Sequence, residues 1–309
     1  MRIVISEFMD RAAVDALAAR FTVHYDPDLV EHADALARHV ADADALIVRN
    51  RTQVRDGLLE RARRLRVVGR LGVGLDNIDV AACATRGIEV IPATGANARA
   101  VAEYVIAAAM LLLRGAYAST EAVAAGGWPR ATLSNGRELA GKTLGLIGFG
   151  GIGRLTGRLA RALGMTAVAH DPQIPGDSPV WRDESTSPRT LEALVAEADV
   201  VSLHVPLTEQ TRHLIDAPRL AAMKTDAILV NTSRGDVVDE RALAAALRAG
   251  RLGGAALDVF AHEPLHAGSA LVDCPNLLLT PHVAGVTRES NERVSSLIAE
   301  RVAAALQRA

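Results

Sequence analysis

The sequence predicts an α/β fold of two doubly wound, parallel-sheet domains with an interdomain cleft. Short apolar runs alternate with Ala-rich segments of helical period along the chain, which is typical of a parallel sheet with helices on both faces. The alternation is interrupted near residues 92–98 and then resumes, which indicates two such blocks. The 309 residues, of which 50% are hydrophobic, suffice for two cores. Because ligands of open parallel sheets bind at the carboxyl ends of the strands, we expect the site in the cleft between the domains.

The first block contains several predicted strands, and the clearest helical period between them covers residues 11–20. Apolar runs predict strands at residues 2–5, 21–25, 45–48, 67–68 and 88–91. After the interruption, residues 99–125 are predicted to form one long helix that ends at a pair of glycines. Apolar residues lie almost all round this helix, so we expect it to be buried, either between the domains or against a second subunit.

The second block alternates in the same way. Predicted strands cover residues 143–147, 166–169, 200–203, 227–231, 254–257 and 277–279. Residues 152–163 and 287–308 are predicted to be helices. Residues 173–188 carry several Pro and Ser residues and are predicted to form a surface loop.

Composition and charge argue against several classes of partner. The chain carries 34 Lys and Arg against 36 Asp and Glu, a net charge of −2, so we expect no nucleic-acid partner. Its two cysteines, Cys83 and Cys274, cannot form a disulfide framework and belong to no CxxC motif, so we expect no metal site. The longest apolar run, residues 105–113, is too short to span a bilayer, and the first residues do not resemble a signal peptide. We therefore expect a cytoplasmic protein without a membrane partner.

A glycine-rich turn within residues 144–153 is the sharpest local signal. Gly148, Gly150 and Gly153 form a G-x-G-x-x-G pattern between a predicted strand and a predicted helix, which is the context of a Rossmann-like, dinucleotide-binding turn. The first glycine permits the tight turn, the second lets the backbone approach a pyrophosphate, and the third lets the helix pack on the strand. The helix N-terminus adds free N–H groups and partial positive charge for the phosphates. The same predicted cofactor-binding turn includes Gly151 and Ile152.

An acidic residue follows at the distance expected for a nucleotide ribose. Asp171 comes directly after the next predicted strand, about 18 residues after the last glycine of the turn. Its carboxylate can accept hydrogen bonds from an adenosine ribose and would repel a 2′-phosphate, so the sequence favours NAD over NADP. A glycine-rich turn beside a surface Asp would be the alternative, and the strand–turn–helix context distinguishes the two.

Three polar side chains follow the later strands of the second block. Arg234, Glu263 and His282 each come after an apolar strand, so we expect them to meet at one edge of the sheet. Arg234 can hold a carboxylate through two parallel hydrogen bonds. His282 can exchange a proton near neutral pH, and Glu263 can orient its imidazole. Together these groups suit the reduction of a 2-keto acid by a bound hydride donor, although each alone could be a surface charge or a turn residue.

The chain resembles the D-2-hydroxyacid dehydrogenase family over essentially its whole length. The segments NTSRGDVVDE, LDVF, TPHVAG, LGVGLDNID, GFGGIG and HVPLT are similar to motifs of that family and occur in the same order. The resemblance implies NAD-dependent hydride transfer between a small 2-hydroxy acid and its 2-keto acid. It implies that Arg234 binds the substrate, that His282 is the acid/base, and that Glu263 supports it. It also implies that the backbone at Val73 and Gly74 holds the substrate carboxylate.

The resemblance further implies domain roles and cofactor contacts. Residues 1–97 with 286–309 would form the substrate-binding domain, and residues 98–285 the NAD-binding domain. The long helix after residue 98 would serve a homodimer. Asp258 matches the residue near the nicotinamide carboxamide. The other implied NAD contacts are Val205, Pro206, Thr232, Ser233 and Gly285.

Two arginines indicate the class of substrate. Arg49 and Arg70 end adjacent predicted strands of the first domain, and their segments resemble those of 3-phosphoglycerate dehydrogenases, in which arginines at these positions meet the phosphate. A second anionic group on C3 of the substrate would give them a partner; otherwise they pair with surface carboxylates. The segments VISEFMD, IVRNRT, PATG and AGVTRESNER resemble members of the family that act on (S)-sulfolactate. We therefore rank sulfolactate first, 3-phosphoglycerate second, and hydroxypyruvate or glyoxylate third.

Two other functions occur on this scaffold. An NAD-sensing binding protein would be distinguished by an extended, often disordered tail, which we do not expect because the sequence ends after its closing helix. Formate dehydrogenases are similar to one another in pairing the catalytic histidine with Gln, whereas this chain has Glu263.

Overall fold

The computed structural model describes residues 1–308 and contains a five-stranded and a seven-stranded sheet, in which every strand pair is parallel. The strands are β1 (Arg2–Ile5), β2 (Thr22–Tyr25), β3 (Ala45–Val48), β4 (Val67–Arg70), β5 (Glu89–Pro92), β6 (Thr143–Ile147), β7 (Thr166–His170), β8 (Ser187–Pro188), β9 (Val200–Leu203), β10 (Ile228–Asn231), β11 (Gly254–Leu257) and β12 (Leu277–Leu279). The helices are α1 (Arg11–Ala18), α2 (Ala33–Val40), α3 (Asp56–Arg61), α4 (Val80–Thr85), α5 (Ala98–Arg114), α6 (Thr120–Ala124), α7 (Arg130–Leu133), α8 (Gly151–Ala162), α9 (Pro179–Asp183), α10 (Leu191–Glu197), α11 (Ala217–Ala222), α12 (Glu240–Arg248) and α13 (Arg288–Gln307). Two parallel sheets with helices confirm the α/β class expected from the alternating pattern.

The chain divides into two compact units, each built around one sheet. Unit 1 comprises Met1–Asn97 and the segment from Val286 onward, and unit 2 comprises Ala98–Gly285. The last helix, α13, therefore belongs to the same unit as the first five strands.

The sheet of unit 1 has the strand order β2-β1-β3-β4-β5. Alternate residues of its strands face opposite layers, because side chains along a strand point to alternating faces. Ile3 and Ile47 lie in one apolar cluster, with α1 and α13, whereas Val4 and Leu46 lie in the other, with α2, α3 and α4. Both faces of the sheet are thus covered, which explains why its strands are hydrophobic throughout.

The sheet of unit 2 has the strand order β12-β11-β10-β9-β6-β7-β8. One apolar cluster combines Leu203 and Leu229 with helices α10 to α12, and the other combines Leu146 and Val230 with α5 and α8. The order reverses between β6 and β9, which are hydrogen-bonded neighbours. In open parallel sheets ligands bind at such a switch point, outside the carboxyl ends of the strands.

The expectation of one helix over residues 99–125 is wrong. Helix α5 ends at Arg114 because Gly115 takes a left-handed conformation (φ 66°), which stops the helix and favours glycine. A short 3₁₀ turn and α6 follow, and the chain bends by 65° between α5 and this second part. The apolar period continued across the break, so periodicity alone could not reveal it. Burial is confined to α5, and the following part is exposed, with Tyr117 65% and Trp128 78% exposed.

The expected surface loop at residues 173–188 is also wrong in part. Helix α9 begins there with Ser178 as N-cap and Pro179 in its first turn, a position at which proline is well tolerated. Trp181 of this helix is buried and stacks on Phe149, with 5.1 Å between the ring centroids. The short strand β8 then pairs with β7. The Pro and Ser residues thus mark the start of a helix rather than an irregular loop.

No single helix within residues 1–308 is long and apolar enough to cross a membrane. Helices α5 and α6, with the short turn between them, reach that length and apolarity only when they are counted together across their 65° bend.

Candidate active site

The glycine-rich turn joins β6 to α8 at the switch point of the unit 2 sheet. Gly148 has a positive φ of 92°, and a Cβ on it would lie 2.5 Å from the carbonyl oxygen of His204. A Cβ on Gly153 would collide with the carbonyl oxygen of Gly148. Both glycines are therefore required by close backbone packing, as the motif predicts.

The next two glycines leave an open cradle at the start of α8. A Cβ on Gly150 or Gly151 would meet no atom within 4 Å, and Gly150 is the N-cap of the 12-residue helix. The free N–H groups and partial positive charge of a helix N-terminus favour a phosphate at this position. Ile152 follows in the first turn of the helix.

Other predicted cofactor contacts border the same switch point. Asp171 follows β7, and its carboxylate accepts hydrogen bonds from the N–H groups of Phe149 (2.8 Å) and Gln173 (2.9 Å). One bond per oxygen leaves acceptor capacity for ribose hydroxyls. The hydroxyl of Thr232 is buried without a hydrogen-bond partner in the described chain, and a buried orphan of this kind points to an absent polar ligand. These features fit a dinucleotide.

The predicted contacts on the neighbouring loops also lie at this edge of the sheet. Val205 packs against Gly148, its Cγ1 3.0 Å from the position of a Cβ there, and Pro206 is exposed next to it. Ser233 is buried, with its hydroxyl 2.8 Å from Asn231 Oδ1. Bound NAD would thus be held by the glycine-rich turn and by the loops that follow β7, β9 and β10.

Arg234, Glu263 and His282 follow β10, β11 and β12, which are consecutive neighbours in the sheet. His282 Nδ1 lies 2.8 Å from Glu263 Oε2. Because a carboxylate only accepts, the imidazole donates from Nδ1, which leaves Nε2 to exchange a proton. Both side chains remain accessible, His282 at 39% and Glu263 at 35%.

The electrostatics of the pair favour an ionised glutamate. Partial burial raises the pKa of the Glu263 carboxyl, but the hydrogen bond and charge of His282 lower it. A hydrogen bond from the Phe260 N–H and the charge of Arg234 lower it further, and the net result is a pKa below the ordinary value. An anionic Glu263 stabilises the protonated form of its neighbour.

The loop that carries His282 is fixed by a buried carboxylate. Asp258 is only 1% exposed and accepts hydrogen bonds from Thr280 Oγ1 (2.7 Å) and from the N–H groups of Val283 and Ala284 (both 2.8 Å). The N–H of His282 donates to the backbone oxygen of Asp258 at 2.8 Å. Asp258 thus holds the His282 loop on both sides of the histidine, and Gly285 follows directly.

Helix α5 contributes to this support through Tyr104. Its hydroxyl lies 2.6 Å from Thr280 Oγ1. Because the Thr280 hydroxyl already donates to Asp258, Tyr104 must be the donor in this contact. Sequence reasoning missed Tyr104 because nothing in a helical period distinguishes a tyrosine that packs from one that donates a hydrogen bond.

Arg234 is carried by a segment that its neighbours hold tightly. The buried side chain of Asn231 accepts from the Ser233 N–H (3.0 Å) and donates to the Arg234 carbonyl (2.9 Å). A Cβ on the adjacent Gly235 would collide with the backbone of Phe260. The loops after β10 and β11 therefore touch, and only glycine fits between them.

The substrate-binding residues predicted for unit 1 lie at the carboxyl ends of its strands. Arg49 follows β3 and Arg70 ends β4, and the two strands are paired neighbours. The guanidinium of Arg70 lies against Gly72, where a Cβ would overlap it. Val73, 37% exposed, and Gly74 come next in this loop. Across residues 1–308, no group of three or more His, Cys, Asp or Glu side chains is arranged to hold a metal ion.

Comparisons with known proteins place the chain in one family. The model of the D-isomer specific 2-hydroxyacid dehydrogenase NAD-binding domain matches residues 106–284. The chain is 54% identical to the (S)-sulfolactate dehydrogenase of Chromohalobacter salexigens over 98% of each chain. It is 40% identical to a chloroplastic D-3-phosphoglycerate dehydrogenase of Arabidopsis thaliana, matching 99% of this chain and 48% of that protein, so it spans about half of that relative's length. A crystal structure of a Thermus thermophilus protein superposes with a TM-score of 0.90 at 36% identity, covering 99% of this chain and 97% of that one.

Proposed function

The chain belongs to the D-isomer specific 2-hydroxyacid dehydrogenase family, and on that premise we propose that it interconverts a small dianionic 2-hydroxy acid and its 2-keto acid. The family makes it an NAD-dependent oxidoreductase that acts on the CH–OH group of a hydroxy acid. Within the proposal, (S)-sulfolactate and 3-sulfopyruvate are the first candidates, since the 54% identical relative is named for sulfolactate.

In the proposed mechanism, each residue of the trio has one role. Arg234 holds the carboxylate that all 2-hydroxy acids share, since a guanidinium can bind it with two parallel hydrogen bonds. His282 removes the proton of the C2 hydroxyl during oxidation and returns it during reduction. Glu263, bound to the opposite ring nitrogen, orients the imidazole and favours its charged form. Bound NAD⁺ supplies the hydride acceptor.

The main support for a dianionic substrate is the environment of Arg49. Its guanidinium is half-buried, donates to Asn291 Oδ1 at 2.7 Å, and lies over the ring of Phe8, 5.8 Å from the centroid. Neither partner carries a charge. Among residues 1–308, no carboxylate oxygen lies within 4.0 Å of a guanidinium nitrogen of Arg49, the limit for an ion pair. Burial lowers the pKa of this guanidinium more than the charge of Glu7 raises it. A half-buried cation without an anion is costly, and a substrate anion would relieve that cost.

A panel of 2-hydroxy acids with NAD⁺ tests the proposal. We expect the highest kcat/KM for sulfolactate among sulfolactate, 3-phosphoglycerate, glycerate and lactate, measured as NADH formation. Arg49→Ala and Arg70→Ala should each lower kcat/KM for sulfolactate by about ten- to a hundredfold, the worth of one charge-assisted hydrogen bond. Glycerate, which carries no charge on C3, should be almost unaffected.

A matched control is Arg38→Ala, which removes an exposed arginine from α2 in the same unit. Equal losses on every substrate, or a preference of the native enzyme for glycerate or lactate, would contradict a dianionic substrate. A preference for 3-phosphoglycerate would support the anion subsite but contradict sulfolactate as the substrate.

The proposal also includes the homodimer and the compartment. The segment after α5 exposes large apolar side chains, Tyr117, Val123 and Trp128, which suits an interface with a second copy. Both cysteines are unpaired thiols, as is usual in the reducing cytoplasm. Sedimentation of the native protein at a mass other than twice that of the chain would contradict the dimer.

A further inference from the structure

The carboxyl edge of the unit 1 sheet contains an anion-binding arrangement at its own switch point. The strand order reverses between β1 and β3, which are hydrogen-bonded neighbours. Glu7 follows the end of β1, and Arg49 follows the end of β3. Ligands of open parallel sheets bind in the crevice at such a point, so the groups that line it are candidates for substrate recognition.

The backbone N–H groups of the loop after β3 are already occupied. Glu7 is 4% exposed and accepts four of them in succession. Its Oε1 accepts from Arg49 (2.8 Å) and Thr52 (3.0 Å), and its Oε2 from Asn50 (3.3 Å) and Arg51 (3.1 Å). Successive N–H groups of this kind form an anion-binding nest, which the chain fills with its own carboxylate. A substrate anion beside this loop must therefore be recognised by side chains.

Asn291 is the side chain that fixes the guanidinium of Arg49. It lies in the first turn of α13, where its N–H donates to the carbonyl of the N-cap Thr287 at 2.9 Å. A guanidinium is a donor only, so the amide must present Oδ1 to Arg49, as the 2.7 Å contact shows. The two N–H bonds of Nδ2 are consequently left for another acceptor.

We propose that Asn291 is a specificity-determining residue of the subsite for the C3 anion, where its Nδ2 donates to the oxyanion that Arg49 binds. This inference rests on the proposed function. A sulfonate presents three acceptor oxygens and no donor, and it therefore matches a site made of donors alone. Asn291 has two effects, because the amide both holds the cation in place and supplies a hydrogen bond of its own.

Three variants test this role by steady-state kinetics with sulfolactate, 3-phosphoglycerate and glycerate. Asn291→Ala should raise KM for the dianionic acids by about ten- to a hundredfold, the worth of hydrogen bonds to a charged group, with little change in kcat. In Asn291→Asp the side chain keeps its shape, but KM for the dianionic acids should rise at least as much, because the new carboxylate would pair with Arg49 and repel the substrate anion. Glycerate should retain its kcat/KM in both. Glu292→Ala, an exposed neighbour on α13, is the control and should behave as the native enzyme.

Arg49→Ala, measured alongside, separates this inference from the proposed function. If Arg49→Ala lowers kcat/KM only for the dianionic acids but neither Asn291 variant does so, Asn291 has no part in recognition and the proposal of a dianionic substrate stands. If Arg49→Ala is itself unselective, the dianionic substrate is wrong. If the loss of kcat/KM for sulfolactate in the Arg49→Ala/Asn291→Ala double variant equals the combined losses of the two single variants, the residues do not share one anion. Should Asn291→Ala fail to fold, the isosteric Asn291→Asp still decides the matter.

Discussion

Among single residues, the 2.8 Å contact between His282 and Glu263 gives the two side chains different roles. In the proposed mechanism, the imidazole presents one nitrogen to the substrate because the other is held by the carboxylate. The ionised state of Glu263, whose pKa is lowered by its neighbours despite partial burial, makes the protonated imidazole easier to form. Removing either side chain should therefore affect proton transfer, in different ways.

His282→Ala should lower kcat by about 10²- to 10⁴-fold, the usual contribution of a general acid or base. The affinity for NAD should survive, because the glycine-rich turn and Asp171 belong to other loops of unit 2. Turnover is measured by NADH formation and NAD affinity by calorimetric titration. The exposed His262, which precedes Glu263 in the sequence, offers a control, since His262→Ala should keep native turnover. A near-native kcat in His282→Ala would remove the residue from the mechanism.

Glu263→Gln should reduce kcat and move the pH–rate profile to lower pH. The amide keeps the shape of the side chain but lacks the charge that favours a protonated imidazole. The profile of kcat/KM between pH 5 and 9 measures the shift in the variant and in the native enzyme. An unshifted profile with reduced kcat would mean that Glu263 orients the ring without affecting its charge.

At the scale of elements, the trio depends on loops that touch one another after β10, β11 and β12. Gly235→Ala should disturb them, because a Cβ at this position collides with the backbone of Phe260. The loops of Arg234 and Glu263 would have to separate, so we expect a loss of kcat of at least tenfold, since small misplacements of catalytic groups are costly. Gly250→Ala is a matched control that adds the same methyl group without a collision, because a Cβ on Gly250 would meet no atom within 4 Å. The positive φ of Gly250 adds local strain. Native activity in Gly235→Ala would show that the loops can relax.

The same elements show what the sequence could reveal. Arg234, Glu263 and His282 were predictable because each follows an apolar strand and parallel strands end at one edge. The supporting roles of Asn231, Asp258 and Tyr104 were not, since these depend on contacts that only the folded chain brings about. Asp258 was expected only as a cofactor contact implied by the resemblance. Residues 99–125 were misjudged for the opposite reason: the apolar period persists through Gly115, whose conformation ends the helix.

At the scale of the whole molecule, His204 links the stability of the fold to pH. Its partly buried imidazole lies next to Gly153 of the glycine-rich turn, 3.0 Å from Ser202 Oγ, and desolvation lowers its pKa to about 4. Above an ordinary value of about 6.5 the group is neutral in both the folded and the unfolded chain. As the pH falls from there towards 4, the unfolded chain binds a proton that the folded chain does not, so the free energy of unfolding decreases. The loss is on the order of 3 kcal/mol, at about 1.4 kcal/mol per pKa unit.

His204→Gln should remove this part of the acid sensitivity, because an amide does not titrate and can still bond to Ser202. Urea unfolding at several pH values between 4 and 8 gives the free energy of unfolding of both proteins. The native curve should fall more steeply below about pH 6.5. Parallel curves would contradict the assignment of a neutral imidazole in the folded chain.

The return of α13 to unit 1 has a consequence for biosynthesis. Gly69 of β4 lets this helix approach closely, since a Cβ there would lie 2.7 Å from Val302 Cγ2 and 2.9 Å from Ile298 Cγ2. A nascent chain that has emerged only as far as Asn97 lacks the helix that covers this face of its sheet, and it gains that helix only after all of unit 2 has been translated. Unit 2 is continuous in sequence and can complete its own core first, whereas unit 1 must wait for the ribosome to release the last helix, with apolar strands available to chaperones in the meantime.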